Sequence, residues 1–398
     1  MGFLMMRLVF LSFWCIALSP RAATATDFDV TTYGAYGDGM TDDSPAFVQA
    51  WADLCGDTSE YPTMIIPPNM TFLLSPVVFD GSSCVAPAVN IKLLGSITAP
   101  DTLDGWKDCA ENRFWLYFTS VQGLTIDGPG QIDGQGSVWW RVQETTDTCQ
   151  RPSALHFHSC KGLRLNGTKH INSPFLHISI TNCQDVDIGH LHIIAPEDSP
   201  NTDGIDISAS SQITIHDSNI QTGDDCVAIN GGVSDMNVTR VLCGPGHGIS
   251  IGSLGENSEY DTVENVHIQN CNITGTVTGL RIKTVPDGTG YAKAIVFQDI
   301  YLVDVLNPIV IDQHYITRST NDDNSTVPME SALHVSDVQY INIYGSSATT
   351  QAVIFNCSDA FTCTDIVTKN VQITGDSIAY CVNVEGNFVD TTPNITCI

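Results

Sequence analysis

The sequence predicts an all-β fold, a single-domain right-handed parallel β-helix (a solenoid) with one short N-terminal helix capping its end. Two observations carry this expectation. Apolar triplets recur with a long period through Ile178-Ser179-Ile180, Ile205-Asp206-Ile207, Val227-Ala228-Ile229, Ile249-Ser250-Ile251, Leu280-Arg281-Ile282 and Ile309-Val310-Ile311. Their first members lie 27, 22, 22, 31 and 29 residues apart. A second column follows in phase: Val186-Asp187-Ile188, Ile213-Thr214-Ile215, Met236-Asn237-Val238, Val266-His267-Ile268 and Ile295-Val296-Phe297. Two phase-locked strands per repeat fit stacked coils, whereas the strands of a sandwich keep no single long period.

The elements follow in chain order. Arg7, an apolar run from Leu8 to Leu18 and Ala23-Thr24-Ala25 make the basic, apolar and small-residue regions of a secretory signal. The run falls short of the roughly 20 residues a membrane span requires. Residues 1–25 are therefore expected to be a signal peptide and residues 26–398 one secreted domain, with no membrane partner. Phe28-Asp29-Val30 alternates like a strand. Thr41-Asp42-Asp43-Ser44-Pro45 then offers capping residues and a proline for a first helical turn, and Ala46 to Ala52 place apolar side chains at helical spacing. A helix beside the first coil covers an otherwise open sheet edge. From about residue 60 onward, short β-branched strands alternate with Gly, Asn, Asp and Pro.

The chain carries a formal charge of −28. Loss of residues 1–25 removes Arg7 and Arg21 and no acid, which deepens it further. There is no basic stripe to neutralise phosphates, so nucleic acid is excluded as a partner. An anionic substrate needs local cations, an acidic compartment or both. Of fourteen cysteines, Cys15 lies in the signal and thirteen remain for an oxidising compartment. Sequence does not fix their pairing, but Cys226/Cys243, Cys357/Cys363, Cys381/Cys397 and Cys55/Cys84 are plausible bridges, and the odd count leaves at least one thiol free or intermolecular. Asn69, Asn166, Asn237, Asn272, Asn324, Asn356 and Asn394 each begin an N-x-Ser/Thr sequon.

Asp203, Asp225 and His247 each stand two residues ahead of an apolar triplet and are 22 residues apart. Stacked in register they form a column rising about 5 Å per coil. One coil further, Arg281 and Lys283 alternate and so share a strand face, and Tyr315 lies a coil beyond. Each part alone has an ordinary explanation: an Asp before a strand is usually a turn residue, and Asp224-Asp225 resembles many turns. Ionisable groups on successive coils are harder to explain that way. Glycosidic hydrolysis needs an acid for the leaving oxygen and a carboxylate to activate water or attack carbon. Crowded carboxylates drive their pKa values apart, so one stays protonated while another ionises. His156, His158, His177, His190 and His192 have no comparable partner set and read as surface or packing residues. No His or Cys cluster has zinc spacing. No metal or cofactor is expected.

These residues also carry a family resemblance. Asn201-Thr202-Asp203, Gly223-Asp224-Asp225, Gly246-His247-Gly248 and Arg281-Ile282-Lys283 resemble the motifs of plant-type polygalacturonases, glycoside hydrolase family 28. The string Gly244-Pro245-Gly246-His247-Gly248-Ile249-Ser250-Ile251-Gly252-Ser253-Leu254-Gly255 is the most specific part. The resemblance implies a secreted, extracellular cell-wall hydrolase, acting as a monomer on the α-1,4-galacturonosyl bonds of pectin with inversion. It makes Asp224 the general acid, sets Asp203 and Asp225 around the water and has His247 support the acid. Arg281 and Lys283 would take the galacturonate carboxylate, with Asn201 and Tyr315 at the sugar subsite. Spacing alone does not choose Asp224 over Asp225 as acid. Asp206, Val285 and Ile316 depart from common family residues, which bears on subsite preference. The alternatives are a rhamnogalacturonan or xylogalacturonan hydrolase, a pectate lyase, and a non-catalytic pectin-binding wall glycoprotein.

Overall fold

The computed structural model describes Gly2 and residues 26–106, 113–141, 150–316 and 332–398. The expected signal segment and the Asn324 sequon lie outside the described residues. After the first coil, which the helix closes, each coil contributes one strand to an 11-stranded sheet, and the remaining strands feed a 22-stranded sheet that wraps the other faces. All pairings are parallel, from Val77–Asp80 at one end of the smaller sheet to Ile378–Val382 at the other. This is the expected right-handed parallel β-helix.

Both periodic columns of the sequence are ladders in register. Ile178, Ile205, Val227, Ile249, Leu280 and Ile309 are successive Cα partners, as are Ile180, Ile207, Ile229, Ile251, Ile282 and Ile311. All twelve are fully buried. The residue between the two ladders faces outward on every coil, giving Ser179, Asp206, Ala228, Ser250, Arg281 and Val310 in one row. The second column pairs likewise, Val186 with Ile213, Met236, Val266 and Ile295.

Corners between strands use left-handed backbone, where Asn and Asp are tolerated best. Asn182, Asp217 and Asn270 adopt φ of 56°, 49° and 54°. At Gly290 the requirement is absolute: φ is 111° and a Cβ would lie 1.8 Å from the Asp261 carbonyl oxygen.

The helix Ser44–Gly56 (α1) closes the first coil as expected. Phe47 meets Phe72 edge-on at 5.5 Å, and Trp51 meets Phe79 at 5.3 Å while its indole donates to the Asp80 carbonyl at 3.0 Å. The capping chemistry is divided between two residues. Asp42 Oδ1 accepts from the Ser44 amide (3.1 Å), whereas Asp43 turns away and accepts from the Tyr36 and Gly37 amides. The four expected disulfides are all present, and Cys55–Cys84 ties α1 to the body. At the far end Cys381–Cys397 holds the C-terminal tail, where the Ile398 amide donates to Cys381. Cys160, Cys183 and Cys271 are buried free thiols. Among the described residues no helix is long and apolar enough to cross a membrane.

Each ladder residue is fully buried in one close-packed core shared by both sheets, so a truncated side chain leaves a cavity that its neighbours fill only in part. Ile229→Ala, in the middle of the second ladder, is expected to destabilise the protein by about 2–5 kcal/mol. The check is the urea unfolding midpoint at unchanged slope.

Candidate active site

The outward row of the 11-stranded sheet forms the floor of an open groove of about 740 Å³. All eight residues singled out from the sequence line it: Asn201, Asp203, Asp224, Asp225, His247, Arg281, Lys283 and Tyr315. The turns that precede the strands hold the acids. Main-chain bonds pin these turns from coil to coil, with the Gly204 amide on the Asp225 carbonyl (2.9 Å) and the His247 amide on the Asp224 carbonyl (2.8 Å).

Asp225 is the buried anchor, its side chain only 2% exposed. Its Oδ1 accepts from Ser250 Oγ (2.7 Å) and Arg281 Nη2 (2.8 Å), and its Oδ2 accepts from Lys283 Nζ (3.2 Å). Arg281 Nε donates to Ser250 Oγ at 2.9 Å, which completes a closed network. Taking one partner away leaves an uncompensated buried charge, a loss of several kcal/mol by order of magnitude. The cations do not occupy the coil position of the acid column. That position is Thr278, whose hydroxyl donates to the His247 carbonyl; Arg281 and Lys283 sit further along the strand and reach back.

Asp224 faces the groove. His247 Nδ1 lies 2.7 Å from its Oδ1, Asn201 Nδ2 donates to its Oδ2 at 3.3 Å, and the Asp225 amide donates to Oδ1 at 2.9 Å. Burial acts to raise its pKa, but His247, Lys283 and that amide together win and hold Asp224 below the ordinary carboxylate range. Asp203 moves the opposite way. Burial, then the charges of Asp224, Asp225 and Asp206, push it well above that range against the pull of Lys283. The two neighbouring carboxyls are therefore driven apart, Asp203 toward the protonated form and Asp224 toward the ionised one.

Several groove residues carried no sequence signal of this kind. Arg151 Nη2 donates to Asn201 Oδ1 (2.8 Å) and Nη1 to the Pro200 carbonyl (2.5 Å), with its guanidinium 5.2 Å from the Phe175 ring centroid. By holding the amide oxygen of Asn201, it turns the amide nitrogen toward Asp224. Fifty residues separate Arg151 from Asn201, and no periodicity links them. Ser250 was visible as an outward residue, but its part in the Asp225 network was not. Asp206, marked only as a departure from the family, is a fourth acid on the floor and accepts from Asn230 Nδ2 at 2.8 Å.

His177 is buried behind the site. Its Nε2 accepts from the Ser173 amide (3.3 Å), so its Nδ1 donates to the Asp203 carbonyl (3.1 Å) and braces that backbone. Burial lowers its pKa to about 4, so it is neutral above that value. It is a packing histidine, as read, but one that packs against the site. His156 is buried in a stack with Phe114, ring centroids 3.8 Å apart. Two groups of side chains bring possible metal donors within 4.8 Å of one another: His190, His216 and Asp217, and Asp224, Asp225 and His247. In the first, Asp217 is already paired with Arg240 Nε at 2.6 Å. In the second, Asp225 has both oxygens turned to cations.

Residues 55–393 match the glycosyl hydrolases family 28. The chain belongs to that family. Family 28 membership makes it a hydrolase of glycosidic bonds. It is 45% identical to a probable polygalacturonase of Arabidopsis thaliana over 93% of this chain and 80% of the relative. It is 38% identical to polygalacturonase-2 of Solanum lycopersicum over 93% of this chain and 81% of the relative. Among solved structures, an exopolygalacturonase from Thermotoga maritima superposes with a TM-score of 0.74 at 22% identity, covering 92% of this chain and 93% of that one. An endo-xylogalacturonan hydrolase from Aspergillus tubingensis gives 0.72 at 22% identity, covering 94% and 99%. At these identities the structural likeness of the family 28 chain speaks for its fold.

Asp206 yields a stability prediction. Burial, opposed by the Asn230 hydrogen bond, pushes its pKa up from 3.8 to about 6. A carboxyl whose pKa is raised on folding holds its proton more tightly in the fold, so folding loses stability as pH climbs from about 4 to about 6. Asp206→Asn removes that loss and can still accept from Asn230. The melting temperature of the variant relative to the parent is expected to rise between pH 4 and pH 7, as read by thermal unfolding at both values.

Proposed function

We propose that the chain is a secreted polygalacturonase, hydrolysing α-1,4-galacturonosyl bonds of pectin by an inverting acid/base mechanism. The observation that carries the reading is the Arg281–Lys283 pair on the floor of an otherwise acidic groove, beside three carboxyl groups and a histidine. Asp225 takes one donor from each cation, and their remaining donors face a groove where a uronate would present a carboxylate for them to bind. The relatives named polygalacturonases support the same substrate. The N-terminal signal pattern supports export to the cell wall, with residues 26–398 as one monomeric hydrolase domain. The reading invokes no cofactor.

Position in the groove supports each role that the family resemblance implies. Asp224, on the groove surface with side-chain exposure of 17%, protonates the leaving oxygen. His247 shares a proton with it across the 2.7 Å contact. Substrate that covers the groove excludes water and strengthens the desolvation that favours the protonated carboxyl of Asp224, which the His247 contact holds in position. Asp203, as the carboxylate with the raised proton affinity, accepts the proton of the attacking water, which Asp225 orients, and that proton returns through solvent to Asp224 after the products leave. Asn201 holds the acid and Tyr315 shapes the sugar subsite; Lys283 Nζ lies 5.3 Å from the Tyr315 ring centroid.

Asp224→Asn is expected to reduce polygalacturonate hydrolysis by at least about a hundredfold, the usual lower worth of a general acid, with thermal unfolding and oligogalacturonide binding retained. Reducing-end release measures the first, and the parent enzyme should generate no ultraviolet-absorbing unsaturated product. Accumulation of that product would turn the reading into a lyase.

The short separation of the acids favours a second reading. Oxygens of Asp224 and Asp225 lie within 4.8 Å, nearer the roughly 5 Å of retaining enzymes than the roughly 6.5–9.5 Å of inverting ones. Yet both Asp225 oxygens are committed to Ser250, Arg281 and Lys283, so it has no free face with which to attack carbon. Inversion is therefore expected: proton NMR of the first product should show the β-anomer at the new reducing end, and initial α-anomer would establish retention.

A further inference from the structure

The outer face of the larger sheet carries one row whose character changes along the solenoid. In register it reads His192, Asn219, Leu242, Asn272, Tyr301 and Tyr344. The first two members are polar, Leu242, Tyr301 and Tyr344 surround Asn272 with large apolar surface, and the row turns polar again at Gln372 and Thr392. Leu242 is 50% exposed and Tyr301 56%. Tyr301 and Tyr344 continue the row with ring centroids 5.8 Å apart. The neighbouring outward position adds Val303, 44% exposed, as the partner of Thr274. Large exposed side chains collected on adjacent strands of a flat sheet face are costly in water and prone to self-association.

Asn272 and Thr274 both point outward from the short strand Asn272–Thr274 in the middle of this patch, and they are the first and third residues of a sequon. Asn272 is exposed and its carboxamide enters no hydrogen bond among the described residues. Asn356 begins another sequon but is half-buried in the groove sheet and donates to Asp312 Oδ1 at 3.2 Å. Asn237 is exposed but lies between Thr214 and His267, with no apolar row to cover. Among the strand sequons of the described residues, only at Asn272 do large apolar side chains flank the Asn from the adjoining coils on both sides, Leu242 and Tyr301, roughly 4.8 Å away by strand spacing.

We propose that Asn272 carries an N-linked glycan whose first sugars lie over Leu242, Tyr301 and Val303, making this apolar patch a built-in glycan seat. The occupant is attached to the seat's own central strand, and the C–H faces of its pyranose rings meet the tyrosine ring and aliphatic side chains while its hydroxyls face water. The inference rests on the reading that the chain enters the secretory pathway. It is independent of catalysis, because the groove lies on the other sheet.

The test expresses the full chain in a secreting plant or yeast cell. Peptide-amidase release in heavy-oxygen water then marks each formerly glycosylated Asn as labelled Asp. Label at Asn272 is expected; label at Asn69, Asn166 or Asn237 with Asn272 unmodified overturns the proposal, and no label anywhere overturns it together with the secretion reading. Thr274→Ala removes the sequon and keeps Asn272. It is expected to bind an apolar fluorescent dye at least threefold more strongly and to self-associate on concentration, with polygalacturonate hydrolysis unchanged. Adding Leu242→Ser and Tyr301→Ser to that variant is expected to return dye binding to the parent level. Should Thr274→Ala reach the medium poorly, glycan removal from the native parent gives the same readout. Unchanged dye binding and association after either treatment removes the seat.

Discussion

Everything in this molecule hangs on parallel strands stacking in register, so that one sequence position per coil always meets the same position above and below. The Ile-rich ladders satisfy this inside the tube, where any other phase would bury the outward row. The same rule operates outside, without apolar content to enforce it. Whatever side chain occupies the outward slot is delivered to a fixed row, about 4.8 Å from its neighbours. A solenoid is thus a device for bringing groups distant in sequence to one line, and the groove is one stretch of that line.

A row of acids so close together is an electrostatic liability, and the fold resolves it through Asp225. With two cations and a hydroxyl on its oxygens, Asp225 is the fixed anion of the site, and Arg281 and Lys283 are held rigidly as a consequence. The remaining acids then sort by environment. Asp224 has donors on both oxygens and is pulled toward the ionised form, while Asp203 is buried among carboxylates and is pushed toward the protonated one. Divergent pKa values in neighbouring carboxyls are what acid/base chemistry needs. They arise here from unequal partners, not from unequal residues.

The solenoid, the helical cap and the four local disulfides were legible because each depends on short-range pattern or strict period: Ile205 to Ile249, Pro45 to Ala52, Cys226 with Cys243. The residues of the acid column were legible for the same reason. What stayed hidden was reach. Arg281 and Lys283 suggested a shared face, but their closure onto Asp225 through Ser250 depends on side-chain length across two coils. Arg151 lies just ahead of the strand Ser153–His158, and its partner Asn201 is fifty residues away. The role of His177 as a brace for Asp203 appears only when the ring is seen against the back of that strand. Period reports phase, and phase says nothing about how far a side chain extends.

Asp224 shows why the acid role falls outside the strict period. A residue in the ladder has its direction fixed by the pleat and meets only its equivalents on adjoining coils. Asp224 stands one residue earlier, in the turn, where the backbone is held by the His247 amide on its carbonyl and the side chain is left to aim for itself. It can therefore touch Asn201 on the preceding coil and His247 on the following one at once. Asp225, inside the period, is locked by the cations and serves as their counter-ion. The period supplies rigidity and charge balance, and the residue just outside it supplies the freedom that proton transfer to a substrate requires.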